Sequence, residues 1–155
     1  MVIEDLQRHP SLIPTIARWH FDQWGPLTGA ATLEGYIGLL EGAAAAPGVP
    51  SVLVALVDGG PVGSVSLVAL DMRIRPLLTP WLAQLFVVPG SRRRGIGAAL
   101  VSAAVARGRA LGYRRVYLYT SGSLPSYYER LGWVVGERVE YEGRERTLMH
   151  RDTGD

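Results

Sequence analysis

The sequence predicts one α/β domain of the α+β kind over residues 1–155, a mixed central sheet of about six or seven strands with about four helices on its faces. Three observations carry this. A chain of 155 residues has the length of one domain, and no internal repeat or long linker divides it. Some segments repeat apolar residues at helical spacing, while others are short β-branched runs. The segments follow the order β-α-α-β-β-β-α-β-α-β-β, which mixes strand–helix–strand units with hairpins.

Val2–Asp5 reads as a short first strand. Ser11 is placed to cap a helix running to about Trp24, with Leu12, Ile16, Trp19 and Phe21 near helical spacing, and Gly25-Pro26 stops it. A second helix covers about Thr32 to Glu41, with Leu33, Tyr36, Ile37 and Leu40 on one side. Ala43–Pro50 reads as a loop. Ser51–Val57 and Val62–Leu70 flank Asp58-Gly59-Gly60-Pro61, a hairpin signature. Asp71–Pro80 is irregular and holds two prolines. Trp81–Val88 has little polar content, as a central strand covered on both faces should, and Pro89-Gly90-Ser91 ends it. A helix runs from about Gly95 to Leu111 and Gly112 closes it. Val116–Tyr119 is a strand, and a short helix follows Pro125 and stops at Gly132. Trp133–Tyr141 and Arg144–His150 form a last hairpin around Glu142-Gly143.

Composition excludes several classes. With 48% hydrophobic and 19% charged residues the chain can bury an ordinary core. No run approaches the roughly 18 apolar residues of a membrane span. Met1-Val2-Ile3-Glu4-Asp5 lacks the basic-then-apolar layout of a secretory signal, so a cytoplasmic protein is expected. The absence of cysteine removes disulfides, thiolate metal sites and Cys nucleophiles, and no metal is expected. Net charge is +2, and all 16 basic residues are Arg. Abundant Ala and Gly suggest that a GC-rich genome accounts for this bias, so an Arg cluster has meaning only through its position.

Arg92-Arg93-Arg94-Gly95-Ile96-Gly97 has such a position. A strand feeds a loop whose amides open a helix, and helix N-termini offer unpaired N–H groups and partial positive charge to a phosphate. Gly95 and Gly97 remove side chains that would hold a ligand off the backbone. A P-loop is excluded because the chain has no lysine, and a dinucleotide fingerprint because the third glycine is missing. The segment resembles the signature of the GNAT family of N-acetyltransferases, Q/R-x-x-G-x-G/A, through Arg92, Gly95 and Gly97. The strand Leu85-Phe86-Val87-Val88-Pro89 is similar to the one preceding that signature. A second stretch, Ser126-Tyr127-Tyr128-Glu129-Arg130-Leu131-Gly132-Trp133, is similar to the family's [FY]-Y-E-x-x-G-[FW], at typical spacing. The resemblance extends over Trp81 to Met149, and the N-terminal half agrees in element order only.

The resemblance implies a sheet splayed at a bulge in the CoA-binding strand and acetyl-CoA as co-substrate. Backbone groups of Leu85, Phe86 and Val87 would hold pantetheine and the thioester, with a Val87 N–H facing the oxyanion. Arg92 and the amides of Arg93, Arg94, Gly95, Ile96, Gly97 and Ala98 would hold the pyrophosphate. Ser121 would touch pantetheine or adenosine. Tyr128 would be the general acid for the departing thiolate, while Tyr127 would belong to the core. The acceptor would be a primary amine, on a small molecule or a peptide N-terminus, bound between the first two helices and the last hairpin. Asp22, Trp24, Tyr36, Gln84 and Tyr141 are its candidate contacts, with His20, Gln23 and Glu142 nearby.

An alkyl amine with a pKa of about 10 must lose a proton before attack. Many members of the family keep a glutamate for this on the central strand. Gln84 stands there in this chain and cannot act as a base. His20, Asp22, Glu34, Asp71 and His150 are the side-chain alternatives, and ordered water with backbone carbonyls is the other. A non-catalytic acyl-CoA sensor on the same scaffold is the rival reading, favoured by Gln84 and opposed by Tyr128. A nucleic-acid partner is not expected, since the charge is modest and no groove-reading motif is present. Dimers are common among similar proteins, so a homodimer is admitted.

Overall fold

The structure is a computed structural model and describes residues 1–45 and 48–154. Its strands are β1 (Val2–Asp5), β2 (Ser51–Val57), β3 (Gly60–Val68), β4 (Trp81–Val87), β5 (Arg115–Thr120), β6 (Val134–Tyr141) and β7 (Arg144–Asp152). Its helices are α1 (Ile13–Trp24), α2 (Leu33–Ala45), α3 (Ile96–Ala110) and α4 (Leu124–Arg130). The strands form one sheet in the order β1-β2-β3-β4-β5-β7-β6. Only β4 and β5 pair in parallel; every other neighbour is antiparallel. The expected mixed sheet with four helices is therefore present. Among the described residues no helix is long and apolar enough to cross a membrane.

Strand alternation divides the core into two layers. On β2, Leu53 and Ala55 face α3, whereas Val52, Val54 and Leu56 face α1 and α2. Ile96, Leu100, Val101, Ala104 and Val105 form the buried side of α3. Ile13, Ile16, Ala17, Tyr36 and Leu40 do the same for α1 and α2. Trp81, fully buried, joins Met72, Tyr141 and Leu148 in a third cluster under the β3–β4 loop. A Cβ on Gly63 would come within 2.9 Å of the Phe86 carbonyl and 3.0 Å of Leu100. That missing side chain lets β3, β4 and α3 approach closely.

Both two-residue hairpin turns form where expected. Asp58 and Gly59 take φ of 51° and 80°, and Glu142 and Gly143 take 52° and 77°, the paired left-handed conformation of type I′ turns. Two expectations need correction. Ser11 does not cap α1, because a 3₁₀ turn over Pro10–Leu12 intervenes and makes Leu12 the capping position, without a side-chain bond. Thr32 does cap α2, its hydroxyl accepting from the Gly35 amide at 3.0 Å. That helix runs through Ala45, so Ala43–Pro50 does not begin as a loop; its Ala, Leu and Glu residues favour helix. Residues 46 and 47 of that stretch lie outside the described residues.

Candidate functional site

The site begins at an irregularity in β4. Ser64 pairs with Phe86 and Ser66 with Ala83, so β4 spends one more residue than β3 over the same distance. Gln84 lies in this bulge with φ of 54°, a left-handed backbone that costs a non-glycine residue about 1 kcal/mol. A bulge bends and twists its strand. Accordingly β4 pairs with β5 only at Trp81–Tyr117, and the two strands then diverge. The splay opens into a cleft of about 820 Å³. Its wall includes Gln84 and Leu85 from β4, Thr120 and Ser121 at the end of β5, and Tyr128 from α4. It continues to Trp24 after α1, Asp71 in the β3–β4 loop, and Tyr141 and Glu142 at the last hairpin.

Gln84 is held from behind. Its side-chain oxygen accepts from the Ser66 hydroxyl at 3.0 Å and the Tyr36 hydroxyl at 3.3 Å. Tyr36 also meets His20 Nδ1 at 2.7 Å, and His20 Nε2 meets the Ser64 hydroxyl at 2.9 Å. With the tyrosine donating to Gln84, His20 Nδ1–H donates to the tyrosine and Nε2 accepts from Ser64. Burial pushes His20 down from 6.5 to about 4, which keeps the ring neutral as this chain requires. Burial likewise pushes the Tyr36 phenol up to about 12, with the Gln84 bond opposing. The Gln84 amide nitrogen has no partner among the described residues, so the network turns a donor toward the cleft.

Tyr128 is 8% exposed, yet its hydroxyl has no partner among the described residues and opens on the cleft. Burial raises the phenol to about 12, so it is protonated throughout the working range. Its ring packs against Tyr127 at 5.2 Å and the buried Trp133 at 6.1 Å. Beyond the other end of β4, Arg92 turns back to donate from Nε to the Val87 carbonyl at 2.8 Å, its guanidinium 5.7 Å from the Phe86 ring centre. The Val87 carbonyl is thereby engaged. Arg93 and Gly95 take φ of 65° and 79°, which curls the loop tightly into α3. The first backbone bond of the helix is Ala99 N–H to Gly95 O, at 3.0 Å. Among the described residues the amides of Arg93 through Ala98 have no acceptor, while Ile96 is buried as an anchor. A Cβ on Gly97 would sit 3.1 Å from the Tyr127 hydroxyl, linking the loop to α4.

The acceptor candidates divide. Trp24, Gln84 and Tyr141 line the cleft, but Asp22 and Tyr36 do not. A helix turns about 100° per residue, so Asp22 points roughly opposite to the buried His20 and is exposed, while Trp24 shares the His20 face. Tyr36 is 4% exposed and spends its hydroxyl behind Gln84. Trp24 packs edge-on to His20 at 5.8 Å and to Phe86 at 6.5 Å. Trp19 packs on Phe86 at 5.3 Å. Residues the sequence reading passed over are Ser64, Ser66 and Arg73. Ser64 and Ser66 are fully buried on alternate positions of a central strand, and buried hydroxyls need partners, which was a readable signal. The backbone N–H and Nε of Arg73 donate to the Tyr141 hydroxyl at 3.1 and 3.2 Å. Among the described residues no group of three His, Cys, Asp or Glu could hold a metal ion.

The Acetyltransferase (GNAT) domain model matches residues 49–135. No curated protein matches the sequence. Among solved structures, an aminoglycoside 6'-N-acetyltransferase complexed with coenzyme A aligns over 100% of this chain and 98% of its own, at 16% identity and TM-score 0.75. A ribosomal-protein-alanine N-acetyltransferase from Brucella melitensis aligns over 98% and 99%, at 17% identity and TM-score 0.74. A variant of spermidine N-acetyltransferase from Vibrio cholerae aligns over 99% and 95%, at 15% identity and TM-score 0.74.

Proposed function

The chain belongs to the acetyltransferase (GNAT) family, and from that premise we propose that it moves an acetyl group from acetyl-CoA to a primary amine by direct attack. The observation that carries this reading is the cleft at the β4–β5 splay, lined by a phenol and a carboxylate that have no hydrogen-bond or ion-pair partner among the described residues. The donor half fits acetyl-CoA. Six amides without acceptors, from Arg93 through Ala98, open a 15-residue helix and suit a pyrophosphate. Gly97 leaves the backbone open to it, and Arg92, Arg93 and Arg94 add charge. The diverging segment Leu85–Val87 offers backbone groups to pantetheine, which enters where strand pairing stops. Ser121 stands beside that path on the cleft wall.

In this reading the chain supplies proximity and a backbone N–H of β4 toward the developing oxyanion. Tyr128 gives its proton to the departing thiolate, for which a phenol kept neutral by burial is suited. Trp24, Gln84 and Tyr141 form the acceptor wall. Release of free thiol from acetyl-CoA tests the proposal, with spermidine, kanamycin and an alanine-ended peptide as acceptors. One of these, or a related primary amine, should raise the rate at least about 100-fold over the amine-free rate. Acetyl-CoA that binds but yields no amine-dependent thiol would favour a sensor instead.

A further inference from the structure

We propose that Asp71 takes the proton from the acceptor amine, a role that rests on the acetyl-transfer reading above. The side chains that could do so reduce to one. The Gln84 amide is not basic, and its oxygen already accepts two hydrogen bonds. His20 is fully buried with both ring nitrogens engaged. Asp22 and Glu34 are exposed and His150 is half-buried, and none of the three lines the cleft. Two carboxylates do line it. Glu142 sits in the β6–β7 turn, 3.9 Å from the Arg73 guanidinium. Asp71 is half-buried in the cleft wall and has no hydrogen-bond or ion-pair partner among the described residues.

The position of Asp71 is rigid. Met72, the next residue, is fully buried against Trp81, Tyr141 and Leu148. Arg73 is bonded to Tyr141, and Arg75 forks onto Glu137 at 2.6 and 2.9 Å. Glu142 from the turn and Tyr119 from β5 interact electrostatically with Asp71, and Arg73 from its own loop, Tyr128 from α4, Tyr141 from β6, and Arg144 and Arg146 from β7 line the same cleft. Burial, reinforced by the negative charge of Glu142, pushes the Asp71 carboxyl up from 3.8 to about 6. A carboxylate raised in this way accepts a proton more readily than a solvated one, directly or through one water.

The ammonium N–H proton passes to an Asp71 oxygen, and the freed lone pair forms the C–N bond to the thioester carbonyl carbon. The C–S bond breaks and the sulfur takes the electron pair, then a proton from Tyr128. The nitrogen loses a second proton, which restores Tyr128 through solvent, and Asp71 returns its own to water. One proton is released for each amide formed.

The test follows kcat against pH, at saturating concentrations of the panel amine with the highest turnover, for wild type, Asp71→Asn and Asp71→Glu. Acetyl-CoA affinity, measured on all three, reports that the donor site is folded. Wild-type kcat should fall as pH drops through about 6. Asp71→Asn should lower kcat about 100-fold near neutral pH and erase that limb, with acetyl-CoA affinity kept, and Asp71→Glu should restore part of the rate. A wild type that turns over no amine would remove the acetyl-transfer reading and this role with it. Wild-type turnover that Asp71→Asn leaves within about threefold, with the acid limb in place, would overturn only the role of Asp71.

Discussion

Tyr128 and Asp22 show how far single residues can be read. Tyr128 stands out through its motif, and the structure adds a buried ring whose hydroxyl has no partner among the described residues and opens on the cleft. Tyr128→Phe should lower kcat about 10- to 100-fold while leaving the KM for acetyl-CoA within about twofold, read by steady-state thiol release. An equal loss in affinity would make the hydroxyl a binding group instead. Asp22 and Tyr36 lie off the cleft wall, Asp22 on the face of α1 opposite His20 and Tyr36 bonded to His20 behind Gln84. A buried imidazole needs two partners, and those partners, Tyr36 and Ser64, lie 16 and 44 positions along the chain. Local pattern does not encode such a demand.

The elements were more legible than their attachments. The sequence predicts that α3 starts at about Gly95, and the helix begins at Ile96 with Gly95 left-handed before it. Glycine spacing and apolar periodicity are local signals, so this boundary was visible. The β3–β4 loop read only as irregular. Its anchors on Glu137 and Tyr141 lie 62 and 68 positions away, beyond any local pattern. At the mouth of α3, Gly97→Glu should weaken coenzyme A binding by more than about 100-fold in calorimetry, because it places bulk and negative charge among the free amides. The fold should survive, since a side chain there meets the movable hydroxyl end of Tyr127 at 3.1 Å. Retained affinity in a folded variant would move the pyrophosphate site elsewhere.

At the scale of the molecule, His20 ties α1 and α2 to β3 and, through Tyr36, to the β4 bulge. This makes stability depend on pH with a definite sign. Unfolded histidine binds a proton below 6.5, whereas folded His20 does so only near 4, so its contribution is full above pH 6.5 and is lost as pH falls toward 4. The contribution is on the order of 3 kcal/mol. Asp71 acts oppositely, since its raised carboxyl costs stability as pH climbs from 3.8 through about 6. Urea unfolding of wild type and His20→Gln separates the two effects. The stability gap between them should narrow from about pH 7 to about pH 5, and a constant gap would place the ring's charge elsewhere. The cleft that this frame holds open is where acetyl transfer is proposed, and isotopically labelled acetyl-CoA tests that most directly. With an accepted amine, label should leave coenzyme A and appear on the amine nitrogen, one acetyl per free thiol, with none retained by the protein. Label that stays on bound coenzyme A whatever amine is added would contradict the account.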